Sequence, residues 1–285
     1  MAANMKAVKL RMKSIQSTMQ ITKAMELVAS SKLRKAKERA QVSKPCFEML
    51  RDTLGQIASG NTDFMSPYTK ESKSEKWCYV VIAGDRGLAG GYNSNLFKLV
   101  EEQVAGKEYE VMPIGKKTVE YFRRRNTGLM TEEFAEAADI SIGDCFEMAK
   151  RICEGYRAGK YGHVALCYTS FVSMLSQKPQ TTALLPLRDF CEEETDPKNV
   201  RSLILYEPDS ETVFDAIVPE YLAALIYGAM CESVASELAA RRTAMDAATK
   251  NAGEMIEQLN LYYNRARQAS ITQEITEIVA GAEES

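Results

Sequence analysis

From Pro219 to the C-terminus the chain has no further proline, and its apolar residues recur at the spacing of a coiled coil. Met245, Ala248, Ala252, Met255, Leu259, Tyr262, Ala266, Ala269, Gln273 and Thr276 alternate in steps of three and four, and eight of these ten are apolar or Tyr. Such alternation is a heptad seam. Pro219 suits the first turn of a helix, where a missing N–H is no loss. A helix over 219–279 has 61 residues and would reach roughly 90 Å at 1.5 Å per residue. A compact chain of this length has a radius of gyration of about 19 Å. The helix is therefore expected to protrude.

A lone helix in water has nothing against which to bury its seam, and the N-terminal segment offers a partner. Residues 3–58 contain one proline, Pro45, and one glycine, Gly55. Val8, Met12, Ile15 and Met19 follow a 4-3-4 spacing, after which the seam is read as shifting to Ile21, Met25 and Val28. Pro45 is expected to bend this helix or mark a weaker stretch of it. A returning chain pairs naturally in antiparallel fashion. Four of the ten C-terminal seam positions are alanine (248, 252, 266 and 269), so the two backbones can approach closely.

Between the two helices the texture changes. Residues 59–76 are polar and mark a boundary. WCYVVIA (77–83), EVMPIG (110–115), HVALCYTSF (163–171) and SLILY (202–206) read as strands, with helical stretches at 93–105, 116–125 and 141–158. The acidic run Glu192, Glu193, Glu194 and Asp196 reads as a surface loop. The fold class predicted is α/β: a long antiparallel two-helix coiled coil from segments 1–58 and 210–285, with an inserted Rossmann-like α/β domain at 77–207 whose sheet is mainly parallel.

Charge is unevenly spread. The net charge of −3 divides into +8 on residues 1–40, where ten Lys and Arg face only Glu26 and Glu38, and −11 on the rest. Such a split usually marks a surface facing an oppositely charged partner. No uninterrupted apolar run of 18 residues exists, so no membrane-spanning helix is expected. The seven cysteines (46, 78, 145, 153, 167, 191 and 231) include no C-x-x-C pair, as reduced thiols in a cytosolic compartment would. No signal-peptide h-region precedes the helix.

Candidate chemistry is thin. Gly84, Gly87, Gly90 and Gly91 follow a strand and precede a helix, where phosphates are cradled. They match neither G-x-G-x-x-G nor a P-loop, and a tight turn is the preferred reading. Cys145 and Cys153 share a helix face without a histidine, so buried small hydrophobes are expected rather than zinc. His163 opens a strand without an Asp or Ser partner. The run KLRKAKER (32–39) lacks the interleaved aromatics of a nucleic-acid stacking platform. No catalytic, cofactor or metal site is expected, and no small-molecule substrate.

Two terminal segments carry more. ITKAMELVASSKLRKA (21–36) and RQASITQEITEIV (267–279) resemble the two ends of the gamma subunit of F-type ATP synthases. DRGLAGGYNSNLF (85–97), LYEPD (205–209), LIYGAMCESVASELAARRTAM (225–245) and NLYYNRARQ (260–268) are similar to further segments of that family, in the same order. The resemblance implies a central rotor shaft. Its coiled coil enters a ring of alpha and beta subunits, and its α/β domain sits with an epsilon subunit on the membrane-embedded c ring. It couples ion flow to ATP synthesis or hydrolysis without being catalytic itself.

The same resemblance assigns Arg267, Gln268, Thr272 and Glu274 to an upper contact with beta subunits, joined by Lys23, Met25 and Arg242. Tyr206 and Glu207 match the foot facing the c ring. Lys32 to Arg39 is complementary in charge to acidic lever segments of beta subunits. Cys191 stands alone before the foot, unlike the paired cysteines of the chloroplast branch. A bacterial protein, peripheral on the cytoplasmic face of the inner membrane, is the corresponding location. Two rival readings remain at this point: a non-rotary coiled-coil adaptor with a basic arm, and a small-molecule enzyme built on the α/β domain.

Overall fold

The computed structural model describes residues 2–59, 64–70, 72–134, 136–137, 140–188 and 206–283. The elements are α1 (Ala2–Ser59), β1 (Trp77–Ile82), α2 (Tyr92–Val104), β2 (Tyr109–Ile114), α3 (Lys116–Arg123), α4 (Ile142–Arg157), β3 (His163–Phe171), β4 (Gln177–Leu185) and α5 (Ser210–Glu283). The chain forms two compact units, Met1–Ser31 with Arg241–Ser285, and Lys32–Ala240. Both long helices contribute to both units.

In the larger unit the sheet order is β2-β1-β3-β4. β1 runs parallel to β2 and β3 in registers that open with Trp77 opposite Tyr109 and His163. β4 closes the order in antiparallel pairing with β3. Successive strand residues point to opposite faces, and each face buries its own set. Cys78, Val80, Ile82, Met112, Ile114, Val164 and Leu166 pack with Met148, Ile152 and Tyr156 of α4, with Leu54 and Ile57 of α1, and with Phe214, Val218, Leu222 and Ile226 of α5. Tyr79, Val81, Ala83, Val111, Ala165 and Cys167 pack with Leu96, Phe97 and Val100 of α2 and Phe122 of α3. Helices on both faces of a parallel core are what strand–helix alternation predicts.

Two expectations need correction. β4 was missed: QKPQTTALL carries a proline and alternates weakly, and Pro179 is tolerated because it sits in the last strand of the order. The expected strand at 202–206 lies, but for Tyr206, outside the described residues, as do the acidic run and Cys191. Pro219 is the tenth residue of α5 rather than part of its first turn. Asp209 starts the helix earlier, its carboxylate accepting the Thr212 N–H at 2.7 Å and the Thr212 hydroxyl at 2.9 Å. α1 likewise runs helical through Pro45.

α5 also holds an 18-residue window of mean hydropathy 1.4, long and apolar enough to cross a membrane on those criteria, with 44% of it buried inside the protein. Among its apolar residues, Phe214, Val218, Leu222, Ala223, Ile226 and Met230 belong to the core just described. Their hydropathy has that explanation.

The coiled coil is antiparallel. Within the larger unit α1 meets α5 at Leu33 and Ala36 against Ala235, Leu238 and Ala239, and farther along at Leu54 and Ile57 against Phe214 and Val218. Rising numbers on one helix meet falling numbers on the other. The seam itself differs from the sequence reading. On α1 it does not shift to Ile21 and Val28, which are 57% and 56% exposed. It continues in strict 4-3 steps through Thr22, Glu26, Ala29, Leu33 and Ala36, all buried. On α5 five expected positions, Met245, Ala248, Ala252, Leu259 and Ala266, are buried or half-buried. Thr249 joins Ala248 there, and three further positions are displaced by one residue, to Ile256, Tyr263 and Ser270, leaving Met255, Tyr262 and Ala269 exposed. Gln273 and Thr276 are exposed as well. Polar and small residues hold seam places that a search for apolar residues assigns to their bulkier neighbours.

Candidate functional site

In the smaller unit two of the expected contact residues belong to one charged group. Lys23 donates to Glu26 at 2.9 Å, and Lys250 to Asp246 at 2.8 Å. Hydrogen bonding and attraction from Lys250 hold the Asp246 carboxyl below its ordinary range, with further contributions from Lys23 and Arg242. The Lys250 ammonium is raised chiefly by Asp246, with Glu26 adding to it. Lys23 and Arg242 thus sit in a five-charge network spanning both helices, with Met25 half-buried beside it. Its buried member, Glu26, occupies the seam. An acid there is tolerable because it is paired at the rim.

Beside this network lies one fully polar seam layer. Thr22 Oγ1 and Thr249 Oγ1 are 2.8 Å apart. Each hydroxyl also lies within reach of a carbonyl of its own helix, Met19 at 3.0 Å and Met245 at 2.8 Å.

The expected contacts Arg267, Gln268, Thr272 and Glu274 are all exposed on α5. Thr272 donates to the Gln268 carbonyl at 2.9 Å, and Ser270 to Glu274 at 3.4 Å. The seam ends at Ser270, and beyond it every described side chain is exposed. Ile271, Ile275, Ile278 and Val279 are 46%, 56%, 70% and 52% exposed. At spacings of four and three they form an apolar stripe on one helix face. Sequence reasoning missed it by assigning Gln273 and Thr276 to the seam.

In the larger unit, Tyr206 is half-buried against the core and Glu207 is exposed in the segment before α5. Of the basic run, Lys32, Arg34, Lys35 and Arg39 are exposed, while Lys37 lies 4.3 Å over the Phe171 ring.

The glycine turn between β1 and α2 is a structural turn. Gly90 has φ +56°, and a Cβ on Gly84 would meet the Glu237 carboxylate at 2.8 Å. The Gly84 N–H donates to Asn93 at 3.0 Å. Asp85 accepts from the backbone of Lys116 at 3.3 Å and of Ala137 at 2.8 Å. The Gly84 N–H is thereby engaged within the turn, and the Asp85 carboxylate would repel a phosphate. Nearby, Gly115 has φ +93° and brings its backbone against Ala83.

The thiols are packing groups. Burial pushes Cys78 and Cys145 up to about 12, and Cys153 and Cys167 up to about 11. A thiol held protonated in this way is a poor nucleophile or metal ligand. His163 stacks on Trp77 with ring centroids 4.5 Å apart.

Comparison with known proteins identifies the family. A family model described as ATP synthase matches residues 4–284. The ATP synthase gamma chain of Ruminococcus albus is 48% identical over 282 residues, covering 97% of this chain and 96% of that one. The sodium-ion-specific ATP synthase gamma chain of Acetobacterium woodii is 41% identical over 299 residues, covering 99% of each. Among solved structures, a chain of the Euglena gracilis mitochondrial ATP synthase superposes with a TM-score of 0.70 at 21% identity, covering 98% of this chain and 94% of that one. The chain belongs to the ATP synthase gamma-chain family, the non-catalytic rotor subunits of the central stalk.

Proposed function

We propose that this chain carries torque between the c ring and the alpha/beta head through two contact sets. The upper set is Lys23, Met25, Arg242, Arg267, Gln268, Thr272 and Glu274 toward beta subunits; the lower is Tyr206 and Glu207 toward the c ring. An epsilon subunit joins the α/β domain. The assembly is membrane-associated, and on this reading the chain lies peripherally on the cytoplasmic face of a bacterial inner membrane.

The observation that supports the upper set best is the end of the seam. α5 continues for 13 residues past Ser270, to Glu283, with an exposed isoleucine stripe beside exposed polar groups. A surface of this kind is stable in water only at a cost that burial by a partner relieves. The ladder of charges around Lys23 offers that partner polar contacts of both signs.

The physical task suits the architecture. Identical beta subunits differ only if something asymmetric touches them, and an antiparallel pair of unlike helices presents unlike faces. Each elementary charge crossing 100 mV releases about 2.3 kcal/mol, so the shaft must pass several such increments for each ATP. Buried alanines at 29, 36, 235, 239 and 252 let the two backbones pack closely, and paired helices resist twisting better than one.

The test is assembly. The purified chain mixed with alpha and beta subunits should give a complex that hydrolyses ATP. With c ring and epsilon added in vesicles, it should pump ions. Alanine at Arg267, Gln268 and Thr272 together should leave the chain folded and lower coupled pumping. Unchanged pumping would remove those residues from the contact set, and failure of the wild-type chain to assemble would refute the rotor reading.

A further inference from the structure

β3 outruns one of its neighbours. β1 accompanies it only as far as Val81 opposite Cys167, whereas β4 stays beside it to Gln177 opposite Phe171. Past Cys167 the β1 side of β3 has no strand, and in an antiparallel ladder alternate residues turn their N–H and C=O away from the partner. Thr169 turns both groups to α5 and is only 2% exposed. Buried peptide groups need partners, and two serines supply them. The Thr169 N–H donates to the Ser233 hydroxyl at 3.2 Å, and the Ser236 hydroxyl donates to the Thr169 carbonyl at 3.1 Å. Both serines are buried. They stand in for the strand that β1 no longer provides.

The same stretch of α5 is seated on further neighbours. One turn on from Ser233, the Glu237 carboxylate comes so close to the chain just past β1 that a Cβ on Gly84 would stand 2.8 Å from it. Ala235, Leu238 and Ala239 pack with Leu33 and Ala36 of α1, and Phe171 and Met174 join that cluster from β3 and the turn after it. The Lys37 ammonium lies 4.3 Å over the Phe171 ring. Sheet, α1 and α5 thus meet at residues 233–239. The fastenings differ in kind. Apolar contact is non-directional and lets one surface roll over another, whereas a hydrogen bond weakens steeply once its angle is lost. Two serine bonds set three residues apart along the helix fix its rotation against the sheet as the apolar seat does not.

We infer that Ser233 and Ser236 are positioning residues for torque transfer: bonded to both peptide groups of Thr169, they stop α5 rolling on its apolar seat, so that a load on the α/β domain turns the coil. Another strand would satisfy Thr169 equally well. Satisfying it from a helix ties the domain to the coil. At rest the apolar seat holds α5 in place, and the serine bonds are felt when a twisting force acts across it. This rests on the rotor reading, which supplies that force, and it names a place within the chain where the twist is passed on.

The experiment uses the whole synthase, carrying this chain, in sealed vesicles. Ser233→Ala with Ser236→Ala should leave ATP hydrolysis unchanged while no ion gradient opposes rotation. As the gradient builds, the double variant should slip, losing part of the steady gradient while hydrolysis continues. Hydrogen exchange of the Thr169 amide should quicken roughly fivefold, the worth of one hydrogen bond. Val100→Ala is the control. It opens a cavity on the opposite face of the sheet, among the residues packed against α2, and so weakens the domain without touching the serine bonds. It should hold the full gradient. A full gradient in the double variant, unchanged exchange at Thr169, or an equal loss of gradient in Val100→Ala would overturn the inference. If the double variant does not assemble, Ser236→Ala alone is judged by its gradient against that of Val100→Ala. Failure of the wild-type chain to assemble or pump refutes the rotor reading itself.

Discussion

Replacing Thr22 and Thr249 by valine, singly and together, should show a coupling energy of about 1 kcal/mol between two residues 227 positions apart. The two hydroxyls have two protons for three contacts: one across the coil at 2.8 Å and one to a carbonyl of each own helix. One proton can serve a carbonyl while the other crosses. Thr22→Val removes the crossing bond and leaves the Thr249 oxygen facing a methyl group, a loss of about 1 kcal/mol. The added apolar group returns about 0.8 kcal/mol, so each single variant should lie near neutrality or slightly below. The double variant has no orphaned hydroxyl and two buried methyls, and it should exceed the sum of the singles.

The two-unit division calls for a local readout. Hydrogen exchange of peptides spanning 15–29 and 245–256 reports the opening free energy of the smaller unit. The doubly substituted seam should also lose register specificity. A slide of one heptad would set Thr22 opposite Arg242 or Ile256, without a hydroxyl partner, whereas a valine there would meet no such penalty. Additive single effects, within about 0.3 kcal/mol, would refute the reasoning.

Aspartate at Ile256 should destabilise the coil by about 2 kcal/mol, and aspartate at the adjacent, 41% exposed Met255 by well under 1 kcal/mol; urea denaturation of the two variants distinguishes the seam phases. Gly115→Ala should cost several kcal/mol, because the new Cβ would stand 2.2 Å from the Ala83 carbonyl oxygen at a backbone φ of +93°; loss of soluble expression or a large fall in Tm would show it. Stability should fall as pH rises above about 9, since Cys78 and Cys167 keep their protons up to about 12 and 11 when folded but release them from 9 upward when unfolded. The loss is about 1.4 kcal/mol per thiol per pH unit in that window, and a flat urea midpoint between pH 8 and 10.5 would count against it. The same thiols should resist iodoacetamide at pH 8 until the chain unfolds, as mass spectrometry of alkylated peptides would register.

Much of the fold was legible because burial leaves a period behind. The alternation of Tyr79, Val81 and Ala83 with Cys78, Val80 and Ile82 marks a strand covered on both faces. Heptad spacing marked both long helices. β4 escaped because a strand at the end of the sheet tolerates Pro179 and half-exposed polar residues, which erases the alternation. Pro219 misled because an N-cap aspartate ten residues before it is a weaker sequence signal than the proline itself. The proposed contact residues rest on resemblance alone. Nothing in the spacing of Lys23 and Arg242 announces that Glu26, Asp246 and Lys250 will gather around them.

The sequence by itself determined that two long helices pair and that an α/β domain interrupts them, because helix length, heptad period and strand pattern are local properties. It also determined the family, through ordered segments along nearly the whole chain. The phase of the seam was decided only by tertiary structure. A helix surface gives each apolar residue a neighbour one position away, and which of the two turns inward depends on what the opposite helix presents. Thr22 and Glu26 are buried while Ile21 and Val28 face outward, because a hydroxyl on Thr249 and cations on both helices wait across the coil.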